Sequence, residues 1–507
     1  MRKIDHTHIL LSLLIMLVAS SCGSCSKHRN LPDVDQVPVA RYNTGLTFVS
    51  KTLGVTVTYD IMLPRDYNDN PGHRYPVVYC FHGYGDDNTS WNGHYMACQA
   101  KITNLEDKGL EPMIYVFPNG WKTYWCDRYD GTFPYMTMLA EEMVPLIDLA
   151  YRTIADRDHR AVTGYSMGGF GAMVTAMKHP DVFSMSAPLS MSFRTDEQYM
   201  TESQSGWDNQ WGKVFGGVGQ TGEGRLTDYY KSLCPLHQFT AANKDKYNSV
   251  HWFLTCGDDE QQLLFANDDL HVLMRENGYP HEYRVANGGH TTSYWKTALE
   301  EVLPWFSSLM AGHSEWQTSL REVNVPDDCK FDSEGVVVSD GYTEAGGNCG
   351  TGLYIAYDGT SEAWIKDAMA ILQRGISSKK FVLLPCNVAV HSLADCVKYY
   401  KDIYPTKAYQ VLAIGKAGTE AVQKEALFST LYFESAEILG DINLSSDKNY
   451  YLCYSDDGQN YKSANALYKA CKSCDATFEY RCRNHMDDPR TDFLTGIEYI
   501  KSNLYNF

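Results

Sequence analysis

The stretch Ala161-Val-Thr-Gly-Tyr-Ser-Met-Gly-Gly-Phe-Gly171 constrains this chain more than any other. Glycines 164 and 168 bracket Ser166 in a G-x-S-x-G pattern. An apolar run, 161–163, leads in, and a helix-forming segment, 173–177, leads out. Strand, tight turn and helix in that order turn such a serine into a nucleophile. The flanks must be glycine because the turn leaves no room for side chains there. The turn lifts Ser166 Oγ clear of the sheet, at a helix N-terminus, where the Met167 N–H can face a developing oxyanion. The bare pattern also arises incidentally in glycine turns. Its context, and two partners further along the chain, give it weight.

Strands and helices alternate on either side of this turn. Residues 55–62 alternate in polarity and read as a strand closed by Leu63-Pro64. The mostly apolar run 75–81 suits a strand buried on both faces of a mostly parallel sheet. It leads into His82-Gly83-Tyr84-Gly85, where glycines let the backbone approach a substrate. The Tyr84 N–H is the expected second oxyanion donor, and His82 is expected to be structural. A helix is expected over 91–107, a strand over 113–117, an aromatic loop over 121–133 and a helix over 135–151. The long, weakly patterned 192–246 segment reads as an insertion over the active face. The strand 251–256 ends at Gly257-Asp258-Asp259-Glu260, and a helix over 263–276 follows. The strand 281–286 ends at Asn287-Gly288-Gly289-His290, ahead of a closing helix over 291–303. This alternation predicts an α/β fold, a mostly parallel sheet flanked by helices.

The chemistry needs three roles. A serine hydroxyl is a poor nucleophile until a base takes its proton. His290, on a glycine loop after the last strand, is the candidate base. A carboxylate must hold the imidazole tautomer and stabilise the imidazolium, and Asp259 and Glu260 are both candidates. Serine, acid, histidine is the chain order of α/β-hydrolases. With Leu63-Pro64, His82-Gly83-Tyr84-Gly85, Pro118-Asn119-Gly120, Gly164 to Gly169, Cys256 to Asp259 and Gly289-His290, the stretch 46–309 resembles the esterase D/feruloyl esterase group, similar to carbohydrate esterase family 1. That resemblance implies a serine esterase, often acting on acetyl or feruloyl esters of plant polysaccharides. The group also holds siderophore esterases and acyl transferases. In it the acid is usually an Asp three residues after the glycine of the acid loop; here that position is Glu260.

The second half reads as a worn copy of the first. Residues 353–359 match 77–83, the strand at 381–385 matches that ending at Pro118, and 411–418 stands where the elbow should be. Residues 451–457 match 253–259, and Glu479-Tyr480-Arg481 matches Glu282-Tyr283-Arg284. The matches are collinear, and the copy has lost segments. Gly415 stands at the serine position, Asp358 replaces His82, and the histidine position falls near Asp487, with His485 two residues away. The expectation is an α/β-hydrolase fold followed by a smaller, degenerate α/β-hydrolase-like domain without catalysis. The expected organisation is a signal peptide over 1–22, a polar tether over 23–40, the catalytic unit over 41–312, a linker over 313–345 and the copy over 346–507.

The N-terminus bears on location. Basic residues, an apolar run over 9–18 too short for a comfortable membrane span, and Ala19-Ser20-Ser21-Cys22 resemble a bacterial lipoprotein signal, with Cys22 lipidated. The protein is expected to be exported and held at the cell envelope only through that lipid anchor. A net charge of -18 disfavours a nucleic-acid partner. Cys471 and Cys474 form a C-x-x-C without a second pair at zinc spacing, so no metal is expected. No cofactor is implied, since a serine triad needs none. The expected partner is a small ester or an esterified glycan, with Trp125 and Trp211 as candidate substrate-binding rings in the aromatic loops. A glycan-binding lipoprotein without turnover is the alternative from another class.

Overall fold

The computed structural model describes residues 39–93, 96–312, 323–339, 342, 350–359, 362–456, 458–485 and 487–504. Cys22 and most of the expected tether lie outside the described residues, as does much of 313–345.

The first half builds β1 (Tyr42–Val49), β2 (Thr56–Met62), β3 (Val77–Phe81), β4 (Ile114–Pro118), β5 (Arg160–Tyr165), β6 (Met185–Leu189), β7 (His251–Gly257) and β8 (Glu282–Ala286). They lie in the order β1-β2-β4-β3-β5-β6-β7-β8. β1 and β2 are antiparallel additions, and β3 to β8 run parallel. Every residue of β3, β4, β5 and β6 is buried. Such strands need helices on both faces, which is why they read as apolar runs. Because the strands are parallel, the turns after β3, β5, β7 and β8 open at one edge of the sheet. Ligands of open α/β sheets bind at that carboxyl edge.

Most expected elements are present, with three differences. The helix expected over 91–107 begins only at Cys98 and spans Cys98–Glu106. β1 and β6 were not expected. In β1, Gly45 and a register shift between Asn43 and Leu46 interrupt the alternation, and β6 reads Met-Ser-Ala-Pro-Leu, without a β-branched residue. The insertion after β6 is a series of short helices, among them Asp196–Thr201, Asp228–Leu233 and Pro235–Gln238. They close on a knot of buried rings that includes Tyr199, Trp207, Phe215 and Tyr230.

The sheet does not stop at β8. The second half adds β9 (Val337–Val338), β10 (Thr351–Tyr357), β11 (Phe381–Asn387), β12 (Ala408–Ile414), β13 (Thr430–Glu434), β14 (Asn449–Ser455) and β15 (Thr477–Arg483). Outward from β15 the order is β15-β14-β13-β12-β10-β11-β9, the order of β8-β7-β6-β5-β3-β4-β2 outward from β8. β8 and β15 meet antiparallel at Val285 and Cys482, giving one 15-stranded sheet.

The turns repeat as well as the strands. Ser166 ends β5 at φ 59°, and Gly415 ends β12 at φ 56°. The Ser166 amide donates to Leu189 O (3.0 Å) and the Gly415 amide to Glu434 O (3.2 Å). Ser190 and Ser435, after β6 and β13, both lie at positive φ. Their amides donate to Thr255 O (2.7 Å) and Cys453 O (2.8 Å).

Two crossed ion pairs fasten the halves. Arg284 Nη1 donates to Asp456 Oδ2 (2.6 Å), while Arg481 Nη1 donates to Asp258 Oδ2. The Tyr283 amide donates to Asp456 and the Tyr480 amide to Asp258, each at 3.2 Å. Both tyrosine hydroxyls donate to Asp268 Oδ1, at 3.1 and 3.0 Å. The matched Glu-Tyr-Arg segments are therefore a reciprocal lock. Burial pushes Asp268 up to about 6. Burial would also raise Asp456, but Arg284 and His485 hold it far below the usual carboxylate range.

Arg284→Met would leave the fully buried Asp456 carboxylate without its guanidinium. Breaking a buried pair by removing one partner costs about 3–5 kcal/mol. The variant is expected to lose that much in urea unfolding, and a loss below about 1 kcal/mol would remove this pair from the lock.

Candidate active site

Ser166 stands at φ 59° and ψ −120°, a region non-glycine residues rarely occupy. Such strain costs about 1–3 kcal/mol and persists only where the surroundings fix it. Two glycines permit it. A Cβ on Gly168 would lie 2.2 Å from Phe81 O, and one on Gly164 would lie 2.4 Å from Gly168 O. Three amide bonds then pin the turn: Ser166 N to Leu189 O (3.0 Å), Phe170 N to Ser166 O (3.2 Å) and Ser192 N to Ser166 O (2.9 Å). The Met167–Lys178 helix starts immediately after Ser166.

The partners arrive from β7 and β8. Ser166 Oγ lies 2.8 Å from His290 Nε2. His290 Nδ1 lies 2.8 Å from Glu260 Oε2. A carboxylate only accepts, so Nδ1–H donates to Glu260 and Nε2 is left to accept from the serine hydroxyl. The Glu260 carboxylate is fully buried, while the His290 ring is 38% exposed. Glu260 Oε1 accepts from the Gly257 amide (3.1 Å) and from Ser190 Oγ.

Asp259 stands differently. It is exposed, and its amide donates to Gly288 O (3.0 Å). Asp258 turns the other way, to Arg481 and the Gly288 amide (3.1 Å). Between the two acids left open by the sequence, the geometry selects Glu260.

The two amides expected to face an oxyanion are those of Met167 and Tyr84. Neither the Met167 nor the Tyr84 amide donates to an acceptor among the described residues. His82 supports the Tyr84 loop from beneath and is buried. Its Nδ1 donates to Gly83 O (2.8 Å), and its Nε2 accepts from the Gly120 amide (2.8 Å). Burial lowers its pKa, so the ring stays neutral, as this accepting nitrogen requires. The Tyr165 hydroxyl donates to Asp86 Oδ2 (2.8 Å), tying the same loop to the elbow strand.

Both expected substrate-binding rings are buried. Trp125 is wholly buried and stacks on Phe81 with centroids 3.9 Å apart. Its Nε1 donates to His82 O (3.3 Å), so it packs under the oxyanion loop and does not line a substrate surface. Trp211 is also buried, its ring beneath the Arg194 guanidinium. The Tyr84 ring, on the loop after β3, is 38% exposed.

Sequence reasoning missed the support of the acid. Trp295 Nε1 donates to Ser190 Oγ (2.8 Å), which in turn donates to Glu260. The Trp295 ring also meets His290 edge-on (5.0 Å) and stacks on Tyr165 (4.4 Å). Ser190 lies at the end of the unexpected β6, and no motif marks Trp295. Only its place on the helix after His290 could have suggested it. Cys471 lies buried and Cys474 half-buried, each a free thiol.

Strand order, elbow and the Ser166–His290–Glu260 chain define an α/β-hydrolase. Residues 50–306 match the model of the Esterase family, and the chain belongs to that family. It is 28% identical over 264 residues to an esterase of Mycobacterium tuberculosis, covering 48% of this chain and 54% of that one. It is 22% identical to an acetyl esterase of Caldicellulosiruptor saccharolyticus, over 52% of this chain and 97% of the relative. An endo-1,4-beta-xylanase/feruloyl esterase of Xylanibacter ruminicola is 30% identical over 151 residues, 29% of this chain and 21% of that one. A solved ferulic acid esterase overlays with a TM-score of 0.44 and 29% identity, over 52% of this chain and 96% of the other. The chain spans about half the length of the mycobacterial relative it matches.

Two outcomes follow. Glu260→Gln is expected to lower kcat by about 10⁴-fold, as loss of a triad carboxylate does, and Asp259→Asn by less than about threefold. Steady-state rates on one activated ester decide it; the reverse ranking would return the acid to Asp259. For His82, the folded pKa lies below the usual 6.5, so the unfolded chain takes up the proton first as pH falls. The stability owed to the neutral ring is whole above that value and declines below it. The unfolding free energy of the wild type minus that of His82→Gln should therefore shrink between about pH 7.5 and pH 5. A difference constant with pH would remove His82 as its source.

Proposed function

We propose that this chain is a serine hydrolase of carboxylic esters, working through an acyl-enzyme. One observation carries this reading: the unbroken hydrogen-bonded chain from buried Glu260 through His290 to Ser166. In the proposed reaction Ser166 Oγ attacks the ester carbonyl while His290 Nε2 takes its proton. Glu260 stabilises the imidazolium. The Met167 and Tyr84 amides receive the oxyanion. His290 then returns the proton to the departing alcohol, and water releases the acyl group by the same route.

The proposed substrates are acetyl or feruloyl esters carried by plant polysaccharides or their fragments. The names of the acetyl esterase and feruloyl esterase relatives support this class, and exposed Tyr84 offers a face for a sugar or phenolic ring. We place the protein outside the cytoplasm, anchored through a lipid on Cys22. The support is the basic start, short apolar run and small residues before that cysteine. Among the described residues, no helix is long and apolar enough to cross a membrane. The second half is proposed as a non-catalytic copy: its elbow position is Gly415, although Asp456 and His485 still pair at 2.9 Å.

The test is hydrolysis of 4-nitrophenyl acetate and methyl ferulate by the chain from Ser26 onward, beside Ser166→Ala, with fluorophosphonate labelling of both. Turnover and labelling should appear in the wild type and fall at least about 10³-fold in the variant. The ratio of the two rates ranks acetyl against feruloyl. No turnover with no label at Ser166 would overturn the reading.

A further inference from the structure

The insertion after β6 holds a group of donors that the triad does not use. Arg194 lies two residues beyond Ser192, whose amide donates to the Ser166 carbonyl (2.9 Å). The guanidinium carbon stands 4.6 Å from the centre of the Trp211 ring. Arg194 Nε and Nη1 are buried and hydrogen-bond nothing, and neither does the buried Trp211 Nε1. The one ion-pair partner of Arg194 among the described residues is Glu202, 3.6 Å from Nε and outside hydrogen-bonding range. The oxygen facing Arg194 is Glu202 Oε2, while Oε1 accepts from the amide and hydroxyl of Ser203, at 2.9 and 3.1 Å.

Arg225, in the same insertion, shows what a structural arginine looks like here. Its Nε donates to Gln220 O (2.9 Å), Nη1 to Tyr199 O (2.8 Å) and Glu202 O (2.6 Å), and Nη2 to Gln204 Oε1 (3.2 Å). Every arm of Arg225 reaches a carbonyl; Arg194 was folded into the same knot without one. A guanidinium cannot shed its charge to reduce the cost of burial. Buried polar groups left unmade call for an explanation. The unmade groups are all donors, so what completes them must bring acceptors. A carboxylate does so with two oxygens and the matching charge.

The group also connects to the reacting end of the site. Gln210 donates to the Tyr124 hydroxyl, and the Tyr124 ring lies 6.5 Å from Trp211 and 6.0 Å from Tyr84. Tyr84 carries the proposed oxyanion amide. We infer that Arg194 and Trp211 form a carboxylate-binding subsite, so that the preferred ester carries an acidic group on its acyl or its alcohol side. This rests on the ester-hydrolase reading above.

The experiment compares matched pairs. On the alcohol side these are 4-acetoxybenzoate and 4-methylphenyl acetate; on the acyl side, mono-4-nitrophenyl succinate and 4-nitrophenyl pentanoate. The wild type is expected to favour the acidic member of one pair by about tenfold or more in kcat/KM. Arg194→Met should erase that preference through KM while changing the neutral rate less than about threefold. Arg194→Lys, which keeps the charge without the planar fork, should retain part of it. Fluorophosphonate labelling of Ser166 in both variants shows that the fold and the triad survive. A binding arm does not depend on turnover: benzoate titrated into Ser166→Ala should quench tryptophan fluorescence, and the Arg194→Met background should abolish the response. No acidic preference in either pair, a preference that survives Arg194→Met, or equal quenching by benzoate and benzyl alcohol would overturn the subsite. If the wild type hydrolyses nothing and takes no label, the hydrolase reading fails, and benzoate binding alone then decides Arg194.

Discussion

Everything at the site hangs from a backbone held where it would not go unaided. Ser166 sits at φ 59° because glycine at 164 and 168 lets two strand ends and a helix close around it. Its amide is tied to Leu189 at the end of β6, and its carbonyl accepts from the Phe170 and Ser192 amides, so the surroundings hold the strained turn. A hydroxyl placed this way projects from the sheet edge toward the loops after β7 and β8. The same turn leaves the Met167 amide without an acceptor among the described residues, at the start of a helix, where negative charge is favoured.

The acid is held by a different logic. Glu260 is buried, and three groups fix it: the Gly257 amide, the Ser190 hydroxyl and His290 Nδ1. Trp295 spans this shell, bonding Ser190 and facing the imidazole. One loop therefore sorts three consecutive acids by environment. Asp258 goes to the second half, Asp259 to solvent and Glu260 to the histidine.

That sorting links the two halves of the chain. Asp258 stands two residues from Glu260 and is anchored by Arg481 and the Tyr480 amide of β15. The acid loop is thus braced from across the sheet by residues of the second half. The reciprocal pair, Arg284 with Asp456, braces the matching loop of the second half, where Asp456 still meets His485. With Gly415 at its elbow, that half keeps the turn and lacks the hydroxyl.

The sequence by itself determined what depends on near neighbours. The elbow follows from glycine sterics, the buried strands from apolar runs, the chain order from Ser166 to His290, and the matching of Glu282-Tyr283-Arg284 with Glu479-Tyr480-Arg481 from collinearity. Only the tertiary structure chose Glu260 over Asp259, because the choice depends on how β7's last turn packs against Gly288 and Ser190, far apart in the chain. It also turned Trp125 from the expected substrate surface into packing and buried the Trp211 ring, since an aromatic residue in a glycine-rich loop reads the same whether its ring faces solvent or core. It joined two sheets into one through β8 and β15, a pairing between edges that carries no local signal.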